Sequence, residues 1–176
     1  MSLSNLENIL PESFSPLSRV WIYAADRALT SEQSAIAHQR METFVQSWTA
    51  HGAPVKGIGI VLFDRFLLLA ADETMARVSG CSTDSSVRMM QQLQLELGVD
   101  LFNRTLLPFY QDGEIFTLPL SELPAAIASR KVTPETLFFD HTVGNKEALE
   151  KDWLKPVKKS WLIHRFPALR EEAIGF

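Results

Sequence analysis

The sequence predicts a mixed α+β fold, and three patterns support that prediction. Runs rich in β-branched and aromatic residues, such as RVWIYAA at residues 19–25, are typical of strands. Two longer segments repeat their apolar residues at the spacing of a helix. Asp112-Gly113 lies between two further apolar runs and is a strong signal for a tight hairpin. Strands and helices should therefore alternate along the chain.

The first strand leads into a helix whose two ends can be predicted. Thr30 and Gln33 form a capping box, in which each side chain bonds the backbone of the other residue. Gly52 is the expected stop, because glycine readily takes the left-handed conformation that ends helices. The apolar segment GIGIVLFDRFLLLAAD then predicts two strands that form a hairpin at Asp64-Arg65.

A second helix and a further strand complete a known order of elements. Apolar residues from Val87 to Leu97 recur at helical spacing, and Gly98 gives the glycine stop. The run TLLPFY at residues 105–110 predicts the next strand. The order strand, helix, strand, strand, helix, strand is the split β-α-β pattern of ferredoxin-like domains.

The composition is that of an ordinary globular protein. The chain has 17 Lys and Arg against 21 Asp and Glu, so its formal net charge is −4. No global charge therefore attracts nucleic acid or an anionic membrane surface. We see neither a signal peptide nor a run of ~20 apolar residues, so we expect a cytoplasmic protein without membrane contact. A single cysteine makes no internal disulfide, which agrees with a reducing compartment.

The later part of the chain resembles a small binding domain. YQDGEIFTLPLSELPAAIASRKVTPETLFFD is similar to bacterial GYF-type domains, with their aromatic, Asp-Gly, Pro-containing strand, short Leu/Ala helix and Thr-Pro-x-Thr-Leu. The resemblance covers residues 108–156, with Trp153 as the closing aromatic, and implies a small GYF-like α+β module. We thus expect three parts: an extended leader at 1–16, a ferredoxin-like domain at 17–104 and a GYF-like domain at 105–176.

The whole chain also resembles an uncharacterised bacterial family whose members are often labelled ABC transporter ATPases. The shared segments are SRVWIYAADRALT, WTAHG, SGCSTDSSV, ELGVDLF and TPETLFFDHTV. An ATPase P-loop needs a glycine loop and a lysine for the phosphates, between a strand and a helix. In GAPVKGIG, Ile58 stands where the lysine belongs, and a strand follows where a helix should. ATPase activity is therefore not expected.

The stretch VSGCSTDSSVR, residues 78–88, holds the only cysteine. Thr83, Asp84 or Ser85 would cap the helix that follows, which would leave free amide protons and the positive end of the helix dipole near Cys81. Such a setting lowers the pKa of a cysteine thiol. One hypothesis is therefore a thiol enzyme with Cys81, Asp84 and His51 as catalytic residues.

Two other interpretations of this stretch remain open. The same amides and hydroxyls can hold an anion, and the candidate anion-binding residues are Ser79, Gly80, Ser82, Ser85 and Ser86. Asp84 argues against an anion and against a thiolate, because its carboxylate already satisfies the amides. The simplest interpretation is that Cys81 is a small buried hydrophobe in a tight helix entry.

Other polar residues give weaker functional signals. The four histidines, His38, His51, His141 and His164, lack the spacing of metal ligands, so neither a metal site nor a cofactor is predicted. Carboxylates at strand ends, at Asp26, Asp64 and Asp72, could be general acids or bases. We interpret them as turn residues.

The basic C-terminal segment supplies the leading functional hypothesis. Residues 146–170 hold seven Lys and Arg against three Asp and Glu, interleaved with aromatics. Nucleic-acid binding usually draws on a larger basic surface, so a protein contact or protection of a sheet edge is the better interpretation. We predict a non-catalytic protein that binds a protein or peptide, and leave its oligomeric state open. The candidate partner-binding residues are Tyr110, Trp153, Trp161, Lys158 and Lys159.

Overall fold

The computed structural model describes residues 6, 8–74 and 80–170. The mixed α+β class is confirmed, since helices alternate with antiparallel sheets. The chain divides into two compact units. The first unit comprises Met1–Asn103 and Val143–Lys151, and the second comprises Arg104–Thr142 and Asp152–Phe176.

The described strands are β1 (Arg19–Ala24), β2 (Thr49–Ala50), β3 (Ala53–Pro54), β4 (Lys56–Leu62), β5 (Phe66–Asp72), β6 (Leu106–Gln111), β7 (Glu114–Pro119), β8 (Leu137–Phe139) and β9 (Leu154–Pro156). The described α-helices are α1 (Ser31–Ser47), α2 (Gly80–Leu97), α3 (Leu123–Ala128), α4 (Lys146–Asp152) and α5 (Leu162–Arg165). These strands and α-helices follow one another in the order β1, α1, β2, β3, β4, β5, α2, β6, β7, α3, β8, α4, β9, α5.

The main sheet of the first unit is antiparallel, in the order β1-β5-β4. β5 lies in the middle, and all of its residues are buried. β4 and β5 form the predicted hairpin, with Phe63 and Asp64 in the left-handed region at φ 54° and 47°. Because β1 and β4 each run antiparallel to β5, the two outer strands are parallel to each other with β5 between them.

The fourth strand of the predicted order lies elsewhere. β6 pairs with β7 and β8 in the sheet of the second unit, whose order is β7-β6-β8-β9. The expectation that residues 105–110 continue the strand order of the first sheet is therefore wrong. The reason is local: Asp112 and Gly113 take φ 52° and 90°, a two-residue turn that joins β6 to β7 directly.

The predicted capping box and one of the two predicted glycine stops are confirmed. Thr30 and Gln33 form the capping box at the start of α1. Gly98 follows α2 at φ 62°, as a glycine stop should. Gly52 does not end α1, because the helix stops at Ser47 and Trp48 is already extended.

Two glycines of β4 allow α1 to lie close on the sheet. A Cβ added to Gly59 would lie 2.5 Å from the Cβ of Met41, and one added to Gly57 would lie 3.0 Å from a ring carbon of Trp48. Any side chain at Gly59 would therefore push the helix away. Met41 and Trp48 belong to the core between the sheet and its helices.

The leader is not extended over the surface as far as Pro16. Ile9, Leu10 and Phe14 are buried. Lys146 Nζ donates to the carbonyl oxygen of Pro11 at 2.9 Å and to that of Phe14 at 3.1 Å. A buried ammonium group needs such acceptors, and these bonds fix the leader to α4. For residues 8–16 the expected extended leader is thus wrong, because their apolar side chains have a core to enter; residues 1–5 and 7 of the predicted leader lie outside the described residues.

Val143–Lys151 also departs from the expected division of the chain, which assigned it to the second domain. It belongs to the first unit, where it lies along β1. Val20 N donates to Gly144 O at 3.1 Å, and Lys146 N donates to Ser18 O at 2.9 Å.

Among the described residues, no helix has both the length and the apolar character needed to cross a membrane.

Candidate functional site

A pocket of about 550 Å³ in the first unit is the candidate functional site. It lies where the end of α1 meets the start of α2 and the β2–β3 turn. Ligand sites commonly have volumes of roughly 300–1,000 Å³ and combine apolar walls with a few polar groups. The lining residues are Phe44, Ser47, Trp48, Thr49, His51, Cys81, Ser82 and Ser85.

Trp48 connects the elements around the pocket. Its Nε1 donates to Ser82 O at 3.1 Å, and Ser82 Oγ donates to Thr49 O at 2.9 Å. Its ring centroid lies 5.1 Å from that of Phe44 and 5.9 Å from that of Trp21. The pocket wall is therefore aromatic and held by hydrogen bonds. Phe44 and Trp48 are among the apolar residues that recur at helical spacing in the first helical segment, and that spacing alone gives no sign of a pocket wall.

His51 reaches the pocket from the turn between β2 and β3. It takes φ 51°, and Gly52 takes φ 79°. Two successive left-handed residues make the tight turn that suits a hairpin, and histidine accepts this conformation more readily than most residues. The turn leaves the His51 side chain exposed at the pocket.

Cys81 is exposed rather than buried. It lies in the first turn of α2, which in the described residues begins at Gly80. The expectation of a small buried hydrophobe is therefore wrong. Thr83, Asp84 and Ser85 all lie inside the helix and cannot serve as its N-cap, so that part of the prediction is also wrong.

The predicted catalytic residues are only partly brought together. Cys81 and His51 line the same pocket, as the thiol hypothesis requires. Asp84 is exposed and is not among the lining residues. The carboxylate that would orient the histidine or repel an anion is thus absent from this lining.

The predicted anion-binding serines use their hydroxyl protons within the chain. Ser82 Oγ donates to Thr49 O, Ser85 Oγ to Ser82 O at 2.7 Å, and Ser86 Oγ to Thr83 O at 2.7 Å. Ser86 is also fully buried. In this arrangement these hydroxyls have no proton left for an anion, so they do not support an anion site. Gly80 is the exposed first residue of α2, and Ser79 lies outside the described residues.

The predicted partner-binding residues of the second unit differ in exposure. Trp153 has no exposed surface and lies 5.0 Å from the ring of Phe139, so its assignment to a partner surface is wrong. Tyr110 and Trp161 are half-buried. The remaining two are Lys158, which pairs with Glu135 at 2.7 Å, and Lys159, which is exposed.

The carboxylates at strand ends are engaged in the structure. Asp26 Oδ1 accepts from Asp100 N at 3.1 Å, and Asp64 Oδ1 accepts from Ser34 Oγ at 2.8 Å. Burial acts to raise the pKa of Asp72, but hydrogen bonds from Lys56 and its other donors outweigh burial and lower this pKa to about 2. Within the described part of the chain, no three His, Cys, Asp or Glu residues are grouped so that they could hold a metal ion.

No family model, curated protein or solved structure matches the chain. Functional inference therefore starts from the pocket itself.

Proposed function

We propose that the chain is a non-catalytic binding protein whose pocket receives an apolar or aromatic side chain of a protein or peptide. The observation that carries the proposal is the lining: the half-buried ring of Phe44 packs on the buried ring of Trp48, and hydroxyl groups and His51 line the same pocket. Covering exposed aromatic surface stabilises a complex, and a few polar groups fix the orientation of the ligand.

The only thiol of the chain provides a direct test, because Cys81 lies in the pocket lining. Two small disulfide compounds are compared, one with a phenethyl group and the other with a hydroxyethyl group. Each is equilibrated with the protein at increasing concentrations of 2-mercaptoethanol. We expect the phenethyl fragment to stay attached to Cys81 at roughly tenfold more reductant, since about 1.4 kcal/mol of wall contact corresponds to that factor.

A matched control moves the thiol away from the pocket along the same helix. The variant Cys81→Ser with Leu95→Cys carries its thiol at a position that is 79% exposed in α2. Here the two fragments should be retained equally. Equal retention at Cys81 as well would mean that the pocket has no affinity for apolar groups, and the proposal would fail.

The second candidate is a thiol enzyme, favoured by the presence of Cys81 and His51 in one lining. A histidine beside a cysteine can remove its proton, and a thiolate reacts far faster than a thiol. Iodoacetamide alkylation is followed against pH in the wild type and in His51→Asn, because asparagine also tolerates the positive φ of residue 51. If the chain is a thiol enzyme, the thiol pKa obtained from alkylation should lie well below the ordinary cysteine value of about 8.5. It should then rise in His51→Asn. An unchanged, ordinary profile removes this candidate.

The finer fold relationships remain proposals. The split order of β1, β5 and β4 supports a ferredoxin-like relationship for the first unit, although β6 is not its fourth strand. The succession of hairpin, short helix and strand over residues 106–139 supports the GYF-type relationship. Within the second unit, the predicted partner residues that retain accessible surface are Tyr110, Trp161, Lys158 and Lys159.

A further inference from the structure

β4 forms one edge of the sheet in the first unit. The hydrogen bonds of β1, at the opposite edge, determine which backbone groups of β4 point outward. Val20 N and Ser18 O face the segment that contains Gly144, so Arg19 faces β5. Arg19 is opposite Ala71, and Ala71 therefore directs its backbone groups toward β1. Successive residues of an antiparallel strand alternate in direction. Gly57, which is opposite Ala71 on the other side, consequently points away from the sheet.

The same alternation makes Gly57, Gly59 and Val61 the outward residues of β4. Their backbone N–H and C=O groups have no hydrogen-bond partner among the described residues. All three residues are half-buried, so part of each is accessible. Two of the three lack a side chain, so nothing on them hinders the approach of another backbone. An edge of this kind is a template for a further strand.

The other sheet edges carry features that hinder such pairing. β1 is bonded over its first residues by the segment around Gly144. In β7, Glu114 closes the two-residue turn opposite Gln111, so Ile115, Thr117 and Pro119 point outward, and Pro119 has no N–H to donate.

The last edge strand, β9, is hindered in the same way as β7. Val157 N donates to Thr136 O, so Pro156 points outward. Among the described edges of the three-stranded and the four-stranded sheet, only β4 therefore offers three successive outward residues whose N–H groups are all present and unbonded.

We propose that the edge of β4 binds an extended segment of a partner protein, which adds to the sheet as a fourth strand. None of Gly57, Gly59 and Val61 lines the pocket, and the proposal does not depend on binding there. Main-chain hydrogen bonds would supply affinity, and alternate side chains would supply specificity. On the face away from α1, the segment would lie beside Ile58 and Ile60, which are half-buried. Apolar β-branched residues at every second position suit that face.

The position of α1 favours a peptide segment over a second copy of the chain. α1 lies on β4 itself, close enough that Gly59 must lack a side chain beneath Met41. Two copies joined through β4 would place their α1 helices over strands about 4.8 Å apart. Packed helices need about 8–10 Å between their axes. A single added strand without its own helix meets no such obstacle.

The experiment selects random heptapeptides, displayed on phage, on the full-length chain. A selected peptide is synthesised with single N-methyl groups at each position, and its Kd is measured by fluorescence anisotropy. In an added strand only alternate N–H groups face β4. We expect N-methylation at those alternate positions to weaken binding at least tenfold and N-methylation at the intervening positions to change it less than twofold.

Protein variants provide the matched comparison. Val61→Pro removes one outward N–H of β4 and should weaken binding at least tenfold, whereas Val61→Thr keeps that N–H and should change Kd less than threefold. Thr117→Pro alters the outward edge of β7 in the same manner and should leave Kd unchanged. If Val61→Pro does not fold by circular dichroism, the N-methyl pattern alone decides.

Three results would overturn the proposal. These are the absence of any enriched peptide, a Kd that is insensitive to N-methylation, and concentration-dependent dimerisation that Val61→Pro abolishes. The last result would assign the edge to a second copy of the chain.

Discussion

Asp72 in the first unit and Asp140 in the second are held by the same kinds of partner. In each case the threonine two residues later donates to Oδ1 through its backbone N and its hydroxyl, at 3.1 and 2.8 Å for Asp72 and at 3.0 and 2.6 Å for Asp140. Each Oδ2 pairs with a lysine of the neighbouring strand, Lys56 at 2.8 Å and Lys155 at 3.0 Å. The sequence Asp-x-Thr therefore ends a strand in both units by one mechanism.

The two arrangements differ in what else the lysine does. Lys56 Nζ also donates to Ser13 O and lies 4.8 Å from the centroid of the Phe14 ring. Ser15 N donates to the same carboxylate at 3.5 Å. In the first unit the ion pair thus fastens the leader as well as the end of the strand. A local motif can be repeated in a chain while its long-range role changes.

The largest expected effect comes from Lys56→Met, which leaves the buried Asp72 carboxylate without its cation. Breaking a buried pair from one side costs about 3–5 kcal/mol. We expect the free energy of unfolding, measured in urea, to fall by about 3–4 kcal/mol. The 42% exposure of the Lys56 side chain reduces the cost of breaking the pair, and the loss of its leader contacts adds to that cost. The double variant Lys56→Met with Asp72→Asn should recover part of the loss, since it removes the uncompensated charge. A double variant no more stable than Lys56→Met would show that the charge is unimportant.

Lys155→Met breaks the equivalent pair in the second unit without touching the leader. We expect the free energy of unfolding to fall by about 3 kcal/mol. The Lys155 side chain is only 18% exposed, which raises the cost of breaking the pair, but this variant removes none of the Lys56 contacts to the leader. Limited chymotrypsin digestion separates the two variants: cleavage near Phe14 should become faster in Lys56→Met and stay at the wild-type rate in Lys155→Met. Faster cleavage in both would mean that general destabilisation, rather than the Lys56 contacts, releases the leader.

Acid should begin to destabilise the second unit, through His141, at a higher pH than it breaks the Asp72 pair of the first unit. Burial lowers the pKa of His141 to about 4, against the nearby Asp140 charge that acts to raise it. The unfolded chain therefore takes up this proton first, so stability is full above about pH 6.5 and falls as the pH drops toward 4. The pKa of Asp72 is lowered to about 2, so its contribution is lost only between about pH 4 and 2.

Urea midpoints between pH 7 and 4.5 examine the His141 window. The wild type should lose stability steadily over this range, and His141→Gln should lose clearly less. Parallel curves for the two proteins would show that His141 is equally free to protonate in the folded and unfolded chains.

Several features that depend on neighbouring residues could be predicted from the sequence, although the Gly52 helix stop could not. The capping box at Thr30, the glycine stop at Gly98 and the Asp112-Gly113 hairpin are each determined within a few residues, and all are present. Features that depend on distant residues could not be predicted. Lys146 bonds the leader more than 130 residues away, and nothing local indicates that pairing.

The candidate site shows the same limit. His51 and Cys81 are brought into one lining by the packing of α1, α2 and the β2–β3 turn. The sequence suggested that they could approach each other, but the exposure of Cys81 depends on which face of α2 meets the sheet. The prediction that Trp153 lies on a partner surface is wrong for the same reason. An aromatic residue among lysines is typical both of an exposed surface and of a core whose edge the lysines cover, and only the packing distinguishes the two.

The smallest expected effects are those in which the two units should not differ. Gly98 in the first unit and Gly113 in the second have φ 62° and 90°, and no heavy atom lies within 4 Å of an added Cβ at either site. Alanine therefore meets no steric clash, and its cost is the backbone strain of the left-handed region, about 1 kcal/mol in each unit. Gly80→Ala is the control, because its site is equally open and has no positive φ; it should be neutral or slightly stabilising in urea unfolding. Equal losses at Gly98 and Gly113, beside unequal losses at Lys56 and Lys155, would assign the difference between the units to long-range contacts, whereas unequal glycine losses would point to a general difference in their stability.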